Sequence, residues 1–219
     1  MNVIVMHIKS INISDIKTVE HDGKTVETGI FKNSVGDCSV RLHETGIDGD
    51  KQADLRFHGG IDKAVYAYPF EHYSFWQSQL NRQDFDMGQF GENFTTEGLL
   101  EKTVFIGDKF RIGNALIEVS QPRQPCFKLG IKMGDPLFPQ IFNLSCKTGI
   151  YFRVIESGEC RAGDRFELIE QHKTLISVHD INRIMFIDKD DPLIETAAYL
   201  EPLTVEWQEI LRKRLSNNS

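Results

Sequence analysis

Cys126 is where reactive chemistry is easiest to place in this 219-residue chain. It closes the stretch Val119-Ser120-Gln121-Pro122-Arg123-Gln124-Pro125-Cys126, in which two prolines fix φ and withdraw backbone donors. Arg123 stands three residues before the thiol and Lys128 two after it, and no acid occurs from Gln121 through Met133. Neighbouring cations favour the thiolate, the form that attacks electrophiles or binds a metal. A lone cysteine otherwise packs as a small hydrophobe, and the local sequence does not separate the two roles. Cys38, Cys146 and Cys160 form no CxxC or finger spacing with it, so all four are expected reduced.

Two further clusters carry chemistry-bearing side chains. In Phe57-His58-Gly59-Gly60-Ile61-Asp62-Lys63, the paired glycines allow either close approach of backbone to a ligand or positive φ. His58 has three readings: ligand contact, proton donor, or packed histidine. In Gly91-Glu92-Asn93, Glu92 is an acid–base candidate or a carboxylate that caps backbone amides. Asp48, Asp50 and Asp54 have the density of a calcium loop, but the glycine is misplaced and the closing glutamate is missing. A zinc site from Cys126, His58 and His72 is permitted by spacing without being suggested by it.

These groups need a scaffold, and the patterning gives a β-rich one. Strands are expected from Val3 towards Ile13, over Thr25 to Phe31 after a His21-Asp22-Gly23-Lys24 turn, and over Asp37 to Leu42, where Cys38 takes a structural place. Val104 to Ile106, Lys109 to Ile112, Ala115 to Val119 and Ile150 to Ile155 add more. Gly163-Asp164-Arg165-Phe166 echoes Gly107-Asp108-Lys109-Phe110, which favours a barrel of hairpins over a parallel sheet. Helical spacing predicts Pro69 to Leu80, and Pro136 to Cys146 with Leu137, Ile141 and Leu144 on its apolar face. After Gln171 come three short helices, Ser177 to Phe186, Asp191 to Leu200 and Thr204 to Leu215, with Ser177, Asp191 and Thr204 as N-caps. Helices this short must pack on the barrel or on a second subunit, and a homodimer through this tail is one expectation.

Composition excludes some classes. The net charge of −7 opposes binding a nucleic-acid backbone. In the tail, Arg212-Lys213-Arg214 is set against Glu195, Glu201, Glu206 and Glu209, so a DNA-reading helix is not expected there. No apolar run reaches the length of a membrane span. The start, Met1 to His7, lacks the basic region and long apolar core of a secretory leader, so a cytoplasmic protein is expected.

Taken together, Gly49-Asp50-Lys51-Gln52-Ala53-Asp54, His58-Gly59-Gly60-Ile61-Asp62-Lys63-Ala64-Val65-Tyr66, Gly91-Glu92-Asn93 and Gln121-Pro122-Arg123-Gln124-Pro125-Cys126 resemble the MOSC family, named for the C-terminal domain of molybdenum-cofactor sulfurases. The tail is similar to the YiiM branch. The resemblance implies a mainly β chain with helices: a MOSC-type β-barrel over residues 1–170, then a small three-helix domain over 171–219. It also implies the molybdenum cofactor (Mo-molybdopterin), with Cys126 as metal ligand and catalytic residue. For the YiiM branch it implies reduction of N-hydroxylated small molecules such as 6-hydroxylaminopurine to the amine, with electrons from a separate reductase. Arg123, Lys63, Arg56 and Lys128 are then candidates to neutralise the cofactor phosphate, with Gly59, Gly60, Glu92 and Asn93 beside them as further cofactor-binding residues. His58 becomes the candidate proton donor to the leaving oxygen and Glu92 its reserve. A cofactor-binding or carrier barrel without turnover is the competing reading.

Overall fold

The computed structural model describes residues 5–53 and 59–217. Among these, the strands in chain order are β1 His7–Ile13, β2 Lys17–His21, β3 Lys24–Thr28, β4 Asn33–Ser34, β5 Val40–His43, β6 Gly46–Ile47, β7 Val65–Pro69, β8 Phe94–Glu97, β9 Lys109–Ile112, β10 Ala115–Pro122, β11 Ile150–Glu156, β12 Gly158–Cys160 and β13 Glu167–Glu170. The α-helices are α1 Glu71–Leu80, α2 Phe127–Met133, α3 Phe138–Leu144, α4 Val178–Phe186, α5 Leu193–Ala197 and α6 Val205–Asn217.

An eight-stranded sheet runs β13-β9-β10-β11-β7-β8-β1-β4 and is antiparallel except at β7–β8. It curls until the start of β1 meets the stretch before β13: Ile8 N–H donates to Asp164 O and Phe166 N–H to Met6 O, each at 2.9 Å. The sheet edge is covered in this way rather than left open. Between the sheet and the tail, Ile8, Val65, Ile117 and Phe152 share one buried cluster with Val178, Ile181, Ile184, Trp207 and Leu211. The three C-terminal helices therefore bury their apolar faces on the barrel, at roughly 2 kcal/mol per large side chain.

The sequence echo corresponds to real geometry. Gly107 and Gly163 take φ of +88° and +89°, and Asp108 and Asp164 each accept a bond from the N–H three residues earlier. Phe110 and Phe166 then face each other inside the barrel, 5.9 Å apart. The expected hairpin turn is also present between β2 and β3, with Asp22 and Gly23 both at positive φ.

Several expected elements differ. Val104 to Ile106 is no strand; only an isolated bridge joins Phe105 to Ser177, and its backbone bonds go to Ile176 and Val178 where α4 begins. Pro69 ends β7 rather than opening α1. Cys38 is exposed, ahead of β5, and not a buried structural residue. Helix α3 buries the opposite face from the one expected: Phe138 and Phe142 are inside, while Leu137, Ile141 and Leu144 are 62%, 46% and 50% exposed. Aromatic rings decide this, since Phe138 and Phe142 join Tyr68, Tyr73, Trp76 and Phe90 in a second buried cluster under α1 and α2. At α4 the expected N-cap is observed as a full capping box between Ser177 and Asp180. At α5, Asp191 Oδ1 accepts from Leu193 N–H at 2.7 Å, although the helix proper begins after Pro192.

Candidate functional site

The site is built at the end of β10. A register shift between Val119 and Gln121 bends the strand as it leaves the sheet, and Arg123 N–H holds the following loop to Gly149 O at 3.3 Å. Gly149 has φ of +79°, and a Cβ there would lie 2.5 Å from Ala67 O, so this close approach requires glycine. Cys126 then sits at the N-cap of α2, extended and half-buried.

In front of it opens a cleft. Its described lining brings together Cys126, Arg123, Lys63, Lys128, Gly59 and Asn93 from the sequence-based set. Gly60 is not on this lining; at φ +84° its carbonyl accepts from Lys63 N–H and starts the turn that presents Lys63. Both Gly59 and Gly60 have positive φ, so backbone conformation accounts for the pair. Lys63 Nζ also lies 3.3 Å from Glu206 Oε2, which brings α6 to the rim. His58 and Arg56 lie outside the described residues.

Glu92 belongs to the wall behind the cleft. It is fully buried, and its carboxylate accepts from Gly88 N–H at 3.0 Å, Phe90 N–H at 3.0 Å, Thr95 Oγ1 at 2.9 Å and the Tyr73 hydroxyl. Of the two roles the sequence left open, this is the amide-binding one. Burial, and after it the neighbouring negative charge of Glu92, pushes the Tyr73 phenol far above its usual range, so it stays a donor. His72 is likewise engaged away from the cleft, with Nε2 2.7 Å from Glu101 Oε2. Among the described residues no three His, Cys, Asp or Glu side chains gather to hold a metal, so a zinc site around Cys126 finds no support from His72.

Arg123 is in a different state. Its guanidinium is buried, stacked 4.9 Å from the Tyr66 ring and 5.8 Å from that of Phe142, yet Nη1 has no hydrogen-bond partner. Gln52 Oε1, also on the lining, is a buried acceptor without a partner. Orphan groups of this kind cost free energy unless a ligand completes them. The lining carries Lys32, Lys51, Lys63, Arg123 and Lys128 against Asp50 as its one described carboxylate. Such a cleft suits an anionic group with N–H donors, held beside a thiol.

Lys32, Asp50, Tyr66 and Tyr151 are lining residues that sequence reasoning did not assign. Lys32 carried the faintest of signals, a lysine directly after the apolar pair Ile30-Phe31. Asp50 belongs to both the calcium-like loop and the family motif in the sequence without a role in either; in the structure it pairs with Lys32 Nζ, at 2.5 and 2.6 Å.

A MOSC domain model matches residues 54–167, more than half of the chain, and a YiiM-like 3-alpha helix domain model matches residues 176–218. The chain belongs to the MOSC family. Protein YflK of Bacillus subtilis (strain 168) is 42% identical over 208 residues, covering 94% of this chain and 93% of that protein. Protein YiiM of Escherichia coli (strain K12) is 35% identical over 181 residues, covering 81% of this chain and 80% of YiiM. A Gibberella moniliformis protein named reductase is 32% identical over 196 residues, 88% of this chain but only 35% of that protein. The crystal structure of YiiM from Geobacillus stearothermophilus superposes with a TM-score of 0.81 at 36% identity, covering 96% of this chain and 99% of that one. The MOSC barrel and YiiM-like helices are thus shared along the length of both. MOSC domains are associated with molybdenum-cofactor binding, and the donor set here fits that group: one soft thiol, an orphaned guanidinium, ammonium groups and an orphaned amide oxygen.

Proposed function

We propose that this protein is a molybdenum-cofactor-dependent reductase that converts N-hydroxylated compounds of the 6-hydroxylaminopurine type to their amines, with electrons from a separate reductase. The observation that carries the reading is the orphaned Nη1 of buried Arg123 on the same cleft as Cys126. The reductase name of the Gibberella relative supports the redox class. When bound, the cofactor would supply a two-electron metal centre.

The chain's own residues do the rest. Cys126 Sγ would hold the metal, fixed in place by the proline-stiffened loop and by α2. Arg123 and Lys128 would neutralise the cofactor phosphate, and Lys63 would close it from the rim. Gln52 Oε1 would accept from an N–H of the pterin, completing its own unmet bond. Overall, the hydroxylamine takes up two electrons and two protons and releases water. Of the candidates the sequence offers for the oxygen's proton, His58 lies outside the described residues and Glu92 is engaged with backbone amides. The chain has no Gly-x-Gly-x-x-Gly of a nicotinamide or flavin site, consistent with an external electron donor.

The test is cofactor-loaded protein supplied with a reductase and 6-hydroxylaminopurine, with adenine as the measured product. Adenine formation that disappears in Cys126→Ala, at unchanged thermal unfolding, is the expected result. Stoichiometric molybdenum and pterin with no adenine would instead make the barrel a carrier, and zinc without pterin would overturn both readings.

A further inference from the structure

A titratable pair lines the same cleft as Cys126 and has no part in the assignments above. Lys32 lies between β3 and β4, its chain anchored by its N–H to Ile30 O. Its side chain and that of Asp50 are 7% and 4% exposed. Asp50 is held in turn by Asn93 Nδ2 at 2.8 Å and by Ser14 N–H at 3.0 Å, so the carboxylate is fixed from three sides. An ammonium has three donors. The hydrogen bonds of Lys32 Nζ among the described residues go to Asp50 alone, which leaves a donor for a molecule in the cleft.

The surroundings also set its acidity. Burial draws the Lys32 ammonium below the ordinary lysine range, with Arg123 acting the same way, while Asp50 and Glu92 oppose them. Lys132, on α2, is a further cation close enough for the two lysines to repel each other. A buried lysine made more acidic gives up a proton more readily near neutral pH than an exposed one.

We propose that Lys32 is the proton donor to the departing hydroxyl oxygen, with Asp50 as the positioning residue that aims its ammonium. This rests on the reductase reading. As the N–O bond breaks, its electron pair leaves with oxygen, which takes a proton from Lys32 Nζ and departs as water. The two electrons from the external reductase and a second proton complete the amine nitrogen, and solvent reprotonates Lys32.

The experiment compares wild type with Lys32→Gln, measuring molybdenum and pterin content, kcat and KM for 6-hydroxylaminopurine, and kcat for an O-acetylated hydroxylamine whose acetate leaves without a proton. The variant is expected to keep metal, pterin and KM, lose kcat on the hydroxylamine by about 10²-fold, and retain near wild-type kcat on the O-acetyl compound. Wild-type kcat falls as pH rises through the Lys32 titration, because the donor must be protonated; Lys32→Gln lacks that limb. Since Lys32→Gln leaves Asp50 buried and unpaired, Lys32→Met/Asp50→Asn serves in its place if the single variant unfolds. Unchanged kcat, equal losses on both substrates, or loss of pterin would each overturn the assignment. A wild type that binds cofactor but reduces no hydroxylamine sinks the reductase reading itself, and the inference with it.

Discussion

Glu92 and Arg123 are both buried charges, Arg123 on the cleft lining and Glu92 between the lining residues Gly91 and Asn93 in the chain, and they are treated in opposite ways. Glu92 meets four donors and is complete within the fold. Arg123 rests on aromatic faces, with Nη1 bonded to nothing. A buried charge whose bonds are all internal is completed by the fold, and removing it strands its partners; one with an open donor on a cleft is completed only when something binds. The contrast separates the architecture of this site from its function.

The strongest way to break that contrast is at its centre. Cys126→Ser should reduce both bound molybdenum and turnover to background while leaving the melting temperature where it was, because the half-buried thiol holds no part of either core. Glu92→Ala should do the reverse. It strands the amides of Gly88 and Phe90 and the Tyr73 hydroxyl, and a loss of about 4 kcal/mol in urea unfolding is expected. If Glu92→Ala were neutral for stability but abolished turnover, the wall would be catalytic after all.

Phe142→Ala tests the aromatic backing that Arg123 leans on, and should cost about 3 kcal/mol, whereas Ile141→Ala beside it stays within about 0.5 kcal/mol. Lys132 supplies a pH signature. Burial pulls its ammonium down to about 8, so the unfolded chain holds more protons than the native one between that value and the ordinary lysine range. Stability should therefore rise with pH across that window, by at most about 1.4 kcal/mol per unit from this group, and Lys132→Met should flatten the slope in denaturant titrations. Arg123→Gln should shift stability by only about 1 kcal/mol for the lost cation–π contacts, while weakening pterin retention on dialysis by about tenfold. A large stability loss with pterin retained would erase the distinction between the two charges.

How much was legible beforehand depended on the range of the interaction. Cys126, Arg123 and Lys128 are near neighbours in sequence, and Gly59, Lys63 and Asn93 sit in glycine-marked loops; their gathering on one cleft was foreseeable from motifs. The capping box at Ser177 and the positive-φ turn at Asp22-Gly23 are local, and local rules found them. The apolar face of α3 was not, because Leu137, Ile141 and Leu144 satisfy helical periodicity as well as Phe138 and Phe142 do. Choosing between those faces requires the aromatic cluster contributed by α1 and β7. For the same reason, Glu92 looked as eligible for proton transfer as for binding amides until its four partners were known.

The sequence by itself determined the barrel-and-helices architecture, the family and the thiol-bearing loop, since turn chemistry, periodicity and motif spacing are properties of neighbouring residues. Tertiary structure decided which charges are spent and which are free. Lys32 and Asp50 are 18 residues apart, and Asp50 and Asn93 are 43 apart. Only the closing of the sheet brings them onto the cleft facing Cys126. A charge is open or satisfied according to its neighbours in space, and those are fixed only when the chain has folded.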